Sequence, residues 1–321
     1  MDLSAHGPAM IESLKKEAVA SPPMPCGGAG DRRARAAAEL ERLIISLNRV
    51  TSFPTIVLRL NETVENPEHS LEQIAAIIDG DPGLSAKLLR VANSSFYGFP
   101  FPVCTTIRAV TMIGTRQLRD LTTAACMIDL FDGIPADLVN MDSFWRHSIA
   151  CGVTARVLAI ARREPNVEQY YLAGLMHDIG RLALYSQASE AMREMLERLQ
   201  REPGPLYREE ERLLGFDHGR LGGHLLRNWN LPPSLFLPVQ YHHHPSLSED
   251  YQLMSAVVHV ADIVAKCLGF GSSGDSRVPP LDPWAWEAID LPASVLPKVM
   301  DEVARQYAQV VELFIPSGGR R

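Results

Sequence analysis

The stretch Leu175-Met176-His177-Asp178-Ile179-Gly180-Arg181-Leu182 sets a histidine and an aspartate side by side in an apolar helical run. Burying an unpartnered polar group costs roughly 2–7 kcal/mol, so a core keeps such a pair only where something partners it. Metal coordination is one such partner. Neighbouring residues do not share a helix face, so the pair suits a cluster of helices or a site bridged between two ions. The other histidines strengthen this reading. Of the ten in the chain, His147, His177, His218, His224, His242, His243, His244 and His259 lie between 147 and 259, and Asp262 follows them.

Outward from this stretch the chain is patterned for helices. Ala37, Leu40, Leu43, Ile44 and Leu47 recur at helical spacing, and Ser52-Phe53-Pro54 opens a second helix with Val57, Leu60 and Val64 on one face. Ser70 and Gln73 form a capping-box pattern ahead of Ile74, Ile77 and Ile78. Asp81-Pro82 opens a helix carrying Leu84, Leu88, Leu89 and Val91, which is expected to end near Asn93-Ser94-Ser95-Phe96-Tyr97-Gly98 with Gly98 as the natural stop. Thr105 or Thr106 caps a short segment, and another helix follows Gly114. In the second half Asp142-Ser143 is expected to cap the helix of His147, which shares its face with Phe144 and Cys151. Ala173 and Gly174 leave room for a close neighbour, and Gly180 is read as a helix end. Gly222 and Gly223 each cost about 1 kcal/mol in a helix relative to Ala, which points to tight helix contact there. The last amphipathic segment, Val295 to Val310, closes the bundle, with a homodimer contact as the alternative.

Composition bounds the function. A chain of 321 residues, 46% hydrophobic and 21% charged, has the make-up of a soluble globular protein with a sizeable core. The formal charge of −7 argues against a protein that lives by neutralising phosphates. Asp79-Gly80-Asp81-Pro82-Gly83 joins two short helices, but the second offers only Lys87 and Arg90, so nucleic acid is not the expected partner. Five scattered cysteines without a Cys-x-x-Cys pair read as reduced thiols. No apolar run of ~18 residues spans a membrane, and no signal core is evident, so the expected location is cytoplasmic.

Phe53-Pro54, the run Asp81-Pro82-Gly83-Leu84-Ser85-Ala86-Lys87-Leu88-Leu89-Arg90-Val91-Ala92-Asn93-Ser94, then Ile107-Arg108-Ala109-Val110 and Ile113-Gly114 resemble the HDOD (HD-related output domain) family. The resemblance covers roughly residues 45–265. The order His147, His177-Asp178, His218, His242-His243, Asp262 resembles the ligand order of the HD superfamily of metal-dependent phosphohydrolases, above all the members that hydrolyse cyclic dinucleotides. These resemblances imply an all-α protein, with an N-terminal helical bundle packed on a C-terminal HD-like bundle. The expected division is a disordered tail over 1–34, an N-terminal helical subdomain over 35–135, an HD-like subdomain over 136–268, and a loop with a closing helix over 269–321.

The resemblance further implies a metal set of His147, His177, Asp178, His218, His242, His243 and Asp262, holding one or two divalent ions such as Fe, Mn or Zn. Imidazoles and carboxylates suit those metals. His224 falls about 240° round its helix from His218 and is left outside the site, as are the solvent-facing His244 and the packed His259. Two functions compete. One is a bacterial signalling output module that binds a partner protein or a nucleotide ligand. The other is a metal-dependent phosphohydrolase acting on a nucleotide or cyclic dinucleotide, with His177, Asp178 and Arg181 as candidate catalytic residues. The cyclic-dinucleotide hydrolases carry Lys where Arg181 stands, and Gly-Tyr-Pro where this chain has Ser246-Leu247-Ser248-Glu249-Asp250-Tyr251. Those departures favour the first function.

Overall fold

The computed structural model describes residues 29–50, 54–94, 96–128, 130–131, 134–275 and 277–315, the side chains of 29–34 and 47–50 excepted. Every regular element among these residues is a helix, as expected. The expected tail lies, up to residue 28, outside the described residues, as do Ser52 and Phe53. The chain is already helical from Ala29, ahead of the boundary expected at 34.

Helix α1 (Ala29–Val50) is followed by α2 (Thr55–Glu65), α3 (Leu71–Asp79), α4 (Pro82–Ala92), α5 (Thr106–Ile113) and α6 (Thr115–Met127). Local chemistry sets these boundaries. Ser70 and Gln73 make the full capping box: Gln73 N–H donates to Ser70 Oγ at 3.4 Å, and Ser70 N–H donates to Gln73 Oε1 at 2.9 Å. Asp81 Oδ1 accepts from Leu84 N at 3.0 Å, with Pro82 in the first turn. Helix α4 does not run on towards Gly98. It ends at Ala92, because Asn93 turns its carboxamide onto Val103, accepting from the backbone N–H at 2.7 Å and donating to the carbonyl at 2.8 Å. Gly98 instead makes a left-handed turn beyond that clamp (φ 61°).

The second half is organised around α7 (Met141–Arg162), buried on all sides from Phe144 to Ala159 apart from the half-buried Arg146. Its cap is Asn140 rather than Asp142: Asn140 Oδ1 accepts from Ser143 N at 2.8 Å, while Asp142 pairs with Arg146 at 2.6 Å. Helix α8 (Val167–Met176) lies on α7 at the expected close approach. A Cβ on Gly174 would sit 2.8 Å from the Cys151 carbonyl and 2.9 Å from Gly152 Cα. Then come α9 (Ile179–Gln187), α10 (Ser189–Arg201), α11 (Leu206–Leu214), α12 (His218–Asn228), α13 (Pro233–Tyr241), α14 (Gln252–Cys267), α15 (Pro283–Ile289) and α16 (Leu296–Phe314).

One continuous core joins both halves. Helix α6 packs on α8, and α1 lies against α9 and α12 of the second half, where Ser46 Oγ meets Gln187 Oε1 at 2.5 Å. Helix α16 closes the assembly across α7 and α4, burying Val299, Met300, Val303, Val310, Val311 and Phe314.

Gly180 is not a helix end. It stands in the first turn of α9, where a Cβ would run into the His218 carbonyl and lie 2.6 Å from Gly222 N. The glycine is there because α9 and α12 cross at backbone distance. Gly180→Ala is therefore expected to destabilise the fold by roughly 1–3 kcal/mol, the usual cost of overpacking. Gly204→Ala, which would meet only Leu199 Cδ2 at 3.9 Å, is the control. Equal urea midpoints for the two variants would contradict the contact.

Candidate metal centre

Helix α8 stops at Met176, His177 caps it, and Asp178 takes the position before α9 (φ −96°, ψ 9°). That break lets two adjacent side chains face one place. His177 Nδ1 is 2.7 Å from the Gly174 carbonyl, so the ring donates there and turns Nε2 inward. His242 repeats the arrangement at the end of α13, with Nδ1 2.7 Å from the Val239 carbonyl. His218, at the start of α12, sets Nδ1 2.6 Å from Glu210 Oε2, and its backbone N–H donates to the same oxygen at 2.7 Å. In each ring the outer nitrogen is engaged, which fixes the tautomer and orients the inner nitrogen.

The inner atoms converge. His147 Nε2 lies 3.0 Å from Asp262 Oδ1 and 3.6 Å from Asp178 Oδ2. His177 Nε2 lies 3.2 Å from Asp178 Oδ2 and 3.5 Å from Asp262 Oδ1. The other Asp178 oxygen, Oδ1, lies 2.8 Å from His218 Nε2, which is 3.1 Å from His243 Nε2. His242 completes that side, and His243 stacks on Tyr207 with ring centroids 4.1 Å apart. All seven residues expected from sequence meet here, in two lobes joined by the Asp178 carboxylate. One lobe is His147, His177 and Asp262; the other is His218, His242 and His243. His147 is fully buried, and the most exposed of the seven, His243, shows 7% of its surface.

The donor set fits a divalent transition metal. Nε2 of His242 has no hydrogen-bond partner although it is buried, and Nε2 of His147, Nε2 of His177 and Oδ1 of Asp262 have none beyond one another and the Asp178 carboxylate. Such a concentration of unsatisfied atoms at one point is what a metal ion would relieve. His259 shows the contrast. Its Nδ1 is 2.8 Å from the His242 carbonyl and its Nε2 accepts from Asp282 N at 3.0 Å, so it is spent on structure. His244 is 46% exposed beside Glu211, and the half-buried His224 joins none of the clusters.

Three residues that bear on the cluster went unnoticed in the sequence. Lys266 Nζ lies 3.0 Å from Asp262 Oδ2, one helical turn on, a spacing legible in the sequence. Glu210 follows Leu206 by four on the buried face of an otherwise charged helix, which was its signal. Ser273, in a glycine-rich loop, had none. Arg181, a candidate for catalysis, sets Nη1 2.6 Å from Ser273 Oγ and 3.5 Å from Asp178 Oδ2, and Nη2 3.2 Å from His218 Nδ1.

Burial opposes ionisation of Asp178 and Asp262, but Arg181 and Lys266 respectively lead the charges that outweigh it and hold both carboxylates well below their usual range. Burial, followed by neighbouring imidazoles, pushes His242 and His243 well below the ordinary value and favours their neutral forms. At His177 burial also opposes charge, yet Asp178 outweighs it and the ring is held well above that value.

The fold and this cluster define an all-α protein of the HD type. A family model for the HDOD domain matches residues 50–245, and the chain belongs to the HDOD family. Asp262 lies beyond the matched range. A curated relative, an uncharacterized protein of Treponema pallidum, is 24% identical over 228 residues, which is 69% of this chain and 43% of the relative. The chain thus spans less than half the length of that protein. An HDOD domain protein of unknown function from Geobacter sulfurreducens is 23% identical, with a TM-score of 0.72 over 88% of this chain and 99% of its own. A Shewanella amazonensis protein provisionally named a metal-dependent phosphohydrolase is also 23% identical, with a TM-score of 0.57 over 87% and 99% of the two chains. At these identities the likeness establishes the fold.

Two expectations follow from the geometry. Glu210→Gln should weaken metal binding roughly 10–100-fold, the usual effect of losing the group that orients a ligating imidazole; unchanged affinity by competitive titration would contradict that role. The raised ring of His177 must shed its proton to bind an ion. Metal affinity should therefore climb as pH rises across neutrality and fall on acidification, with protons released on loading. Calorimetry in buffers of different ionisation enthalpy measures that release, and a flat profile would contradict it.

Proposed function

We propose that this chain is the output module of a bacterial signalling pathway. It acts by binding a partner protein, and its His/Asp centre holds one or two divalent ions, Fe, Mn or Zn, that fix the shape of the second half. The observation that carries this reading is burial. No member of the cluster is more than 7% exposed, and Arg181 is 1% exposed. A phosphohydrolase has to bring a phosphoryl group to a metal-activated water, whereas these side chains face one another, Arg181 and Lys266. Membership of the HDOD family supports the same reading. No helix among the described residues is long and apolar enough to cross a membrane, and the formal charge of −7 disfavours nucleic acid as the partner.

The second reading is a metal-dependent phosphohydrolase acting on a nucleotide or cyclic dinucleotide. The complete ligand set, divided by a bridging carboxylate, favours it. In that case the two lobes would hold the ions and Arg181 would steady a phosphoryl oxygen.

Metal analysis of protein purified without chelators, with a panel of cyclic dinucleotides and nucleotides as substrates, separates the two. The expected result is stoichiometric transition metal without turnover. Metal content should fall sharply in His177→Ala and Asp178→Ala and stay unchanged in His224→Ala. Metal-dependent hydrolysis abolished by Asp178→Ala would favour the second reading, and native protein free of metal would remove both.

A further inference from the structure

After α14 ends at Cys267, the chain crosses the first turns of α7 and α9 in a glycine- and serine-rich segment, Gly269-Phe270-Gly271-Ser272-Ser273-Gly274-Asp275. It is held at four points. Ser272 N–H donates to the Ser143 carbonyl at 3.1 Å and Oγ at 2.9 Å. Arg181 Nη1 donates to Ser273 Oγ at 2.6 Å, and Tyr185 Oη donates to the Ser273 carbonyl at 2.9 Å. Leu206 N–H donates to Asp275 Oδ2 at 2.9 Å. At its start the Phe270 ring stacks on Tyr307 of α16, with centroids 4.1 Å apart.

The glycines show how closely the segment is laid down. Gly271 and Gly274 take positive φ (82° and 102°). A Cβ on Gly271 would meet the Ser143 carbonyl and lie 2.7 Å from the backbone nitrogen of His147; a Cβ on Gly274 would run into the Tyr185 hydroxyl. Connecting segments ordinarily run over the surface, yet Ser273 is wholly buried.

What it lies against is the centre's own frame. Helix α7 carries His147, and Asp178 and Arg181 stand at the start of α9. Helix α14, which leads into the segment, carries Asp262 and Lys266. Arg181 is held between Ser273 on one side and the carboxylates of Asp178 and Glu210 on the other. Asp275 also adds its charge to those that favour the ionised forms of Arg181 and Lys266. The fastening is a handful of polar bonds plus one aromatic stack, with little apolar burial. Segments built this way open locally at a small fraction of the free energy of global unfolding.

We propose that Gly269–Asp275 is a strap that closes the His/Asp centre and sets the rate at which a metal ion enters and leaves it. The proposal rests on the reading that the centre holds metal, whose regulation it names. When the strap lifts, Ser273 leaves Arg181, and the α7 and α9 ends of the cluster face solvent. When it is down, a bound ion is trapped.

The test compares the full chain with Gly274→Ala, which drives a methyl group into Tyr185, and Ser273→Ala, which removes the bond to Arg181 without adding bulk. Val278→Ala, at a partly exposed position beyond the strap, is the control. Two rates are read: stripping of bound metal by EDTA, and carbethoxylation of the cluster histidines by diethyl pyrocarbonate, followed by mass spectrometry. Both should rise roughly ten-fold in Gly274→Ala and by a smaller factor in Ser273→Ala, as expected when local opening is eased, with the control unchanged. Wild-type rates in both strap variants would overturn the strap. Should all the proteins carry no metal, the metal reading fails and histidine modification alone judges the strap: faster supports it, unchanged overturns it. Should Gly274→Ala fail to fold, Ser273→Ala decides.

Discussion

The structure depends on the meeting of Asp178 with His218, 2.8 Å apart across the crossing of α9 and α12. Neither residue is near the other in sequence, and both are buried at a cost the fold must offset. Gly180 and Gly222 make the meeting geometrically available by letting the two helix backbones touch. With that crossing in place, one carboxylate faces His147 and His177 through one oxygen and His218 through the other. The remaining features serve the same point. Gly174 and Gly152 seat α8 on α7 so that His177 reaches His147, and Glu210 and the carbonyls of Gly174 and Val239 aim the rings.

Burial also governs the charges of the centre. Charges inside such a centre need partners, and here Arg181 and Lys266 supply two of them from the chain itself. A hydrolase would keep such cations free to meet a phosphoryl group. In this chain Arg181 is already engaged by Asp178, Ser273 and Glu210, and Lys266 by Asp262. The proposed scaffold role rests on this engagement of both cations.

Much of this was legible in the sequence because helical chemistry is local. The capping box at Ser70 and the Asp81-Pro82 start each act within a turn, and the structure keeps them. The seven clustered residues could be named because their order matched a known pattern, not because spacing alone places Asp262 beside His147. Most of the misread points were decided by contacts distant in sequence, and the cap at Asn140 by a choice among local polar residues. Gly180 looked like a helix terminator, but its meaning comes from His218 and Gly222 on another helix. Gly98 yielded its expected role to Asn93, whose carboxamide finds Val103 only once the intervening loop has folded back. Asn140 displaced Asp142 as the cap, since any of several polar residues before an apolar run can serve. Ser273 carries no pattern of its own and matters only through Arg181.

The most direct test of the account is anomalous diffraction from crystals of the native protein, grown without chelators and measured at the Fe, Mn and Zn edges. The account places an anomalous peak in the first lobe, at bonding distance from the inner atoms of His147, His177, Asp178 and Asp262. A second peak beside His218, His242 and His243 would mean that both lobes are filled. Anomalous density confined to the surface group Glu211, Asp217 and His244, or absent altogether, would contradict it.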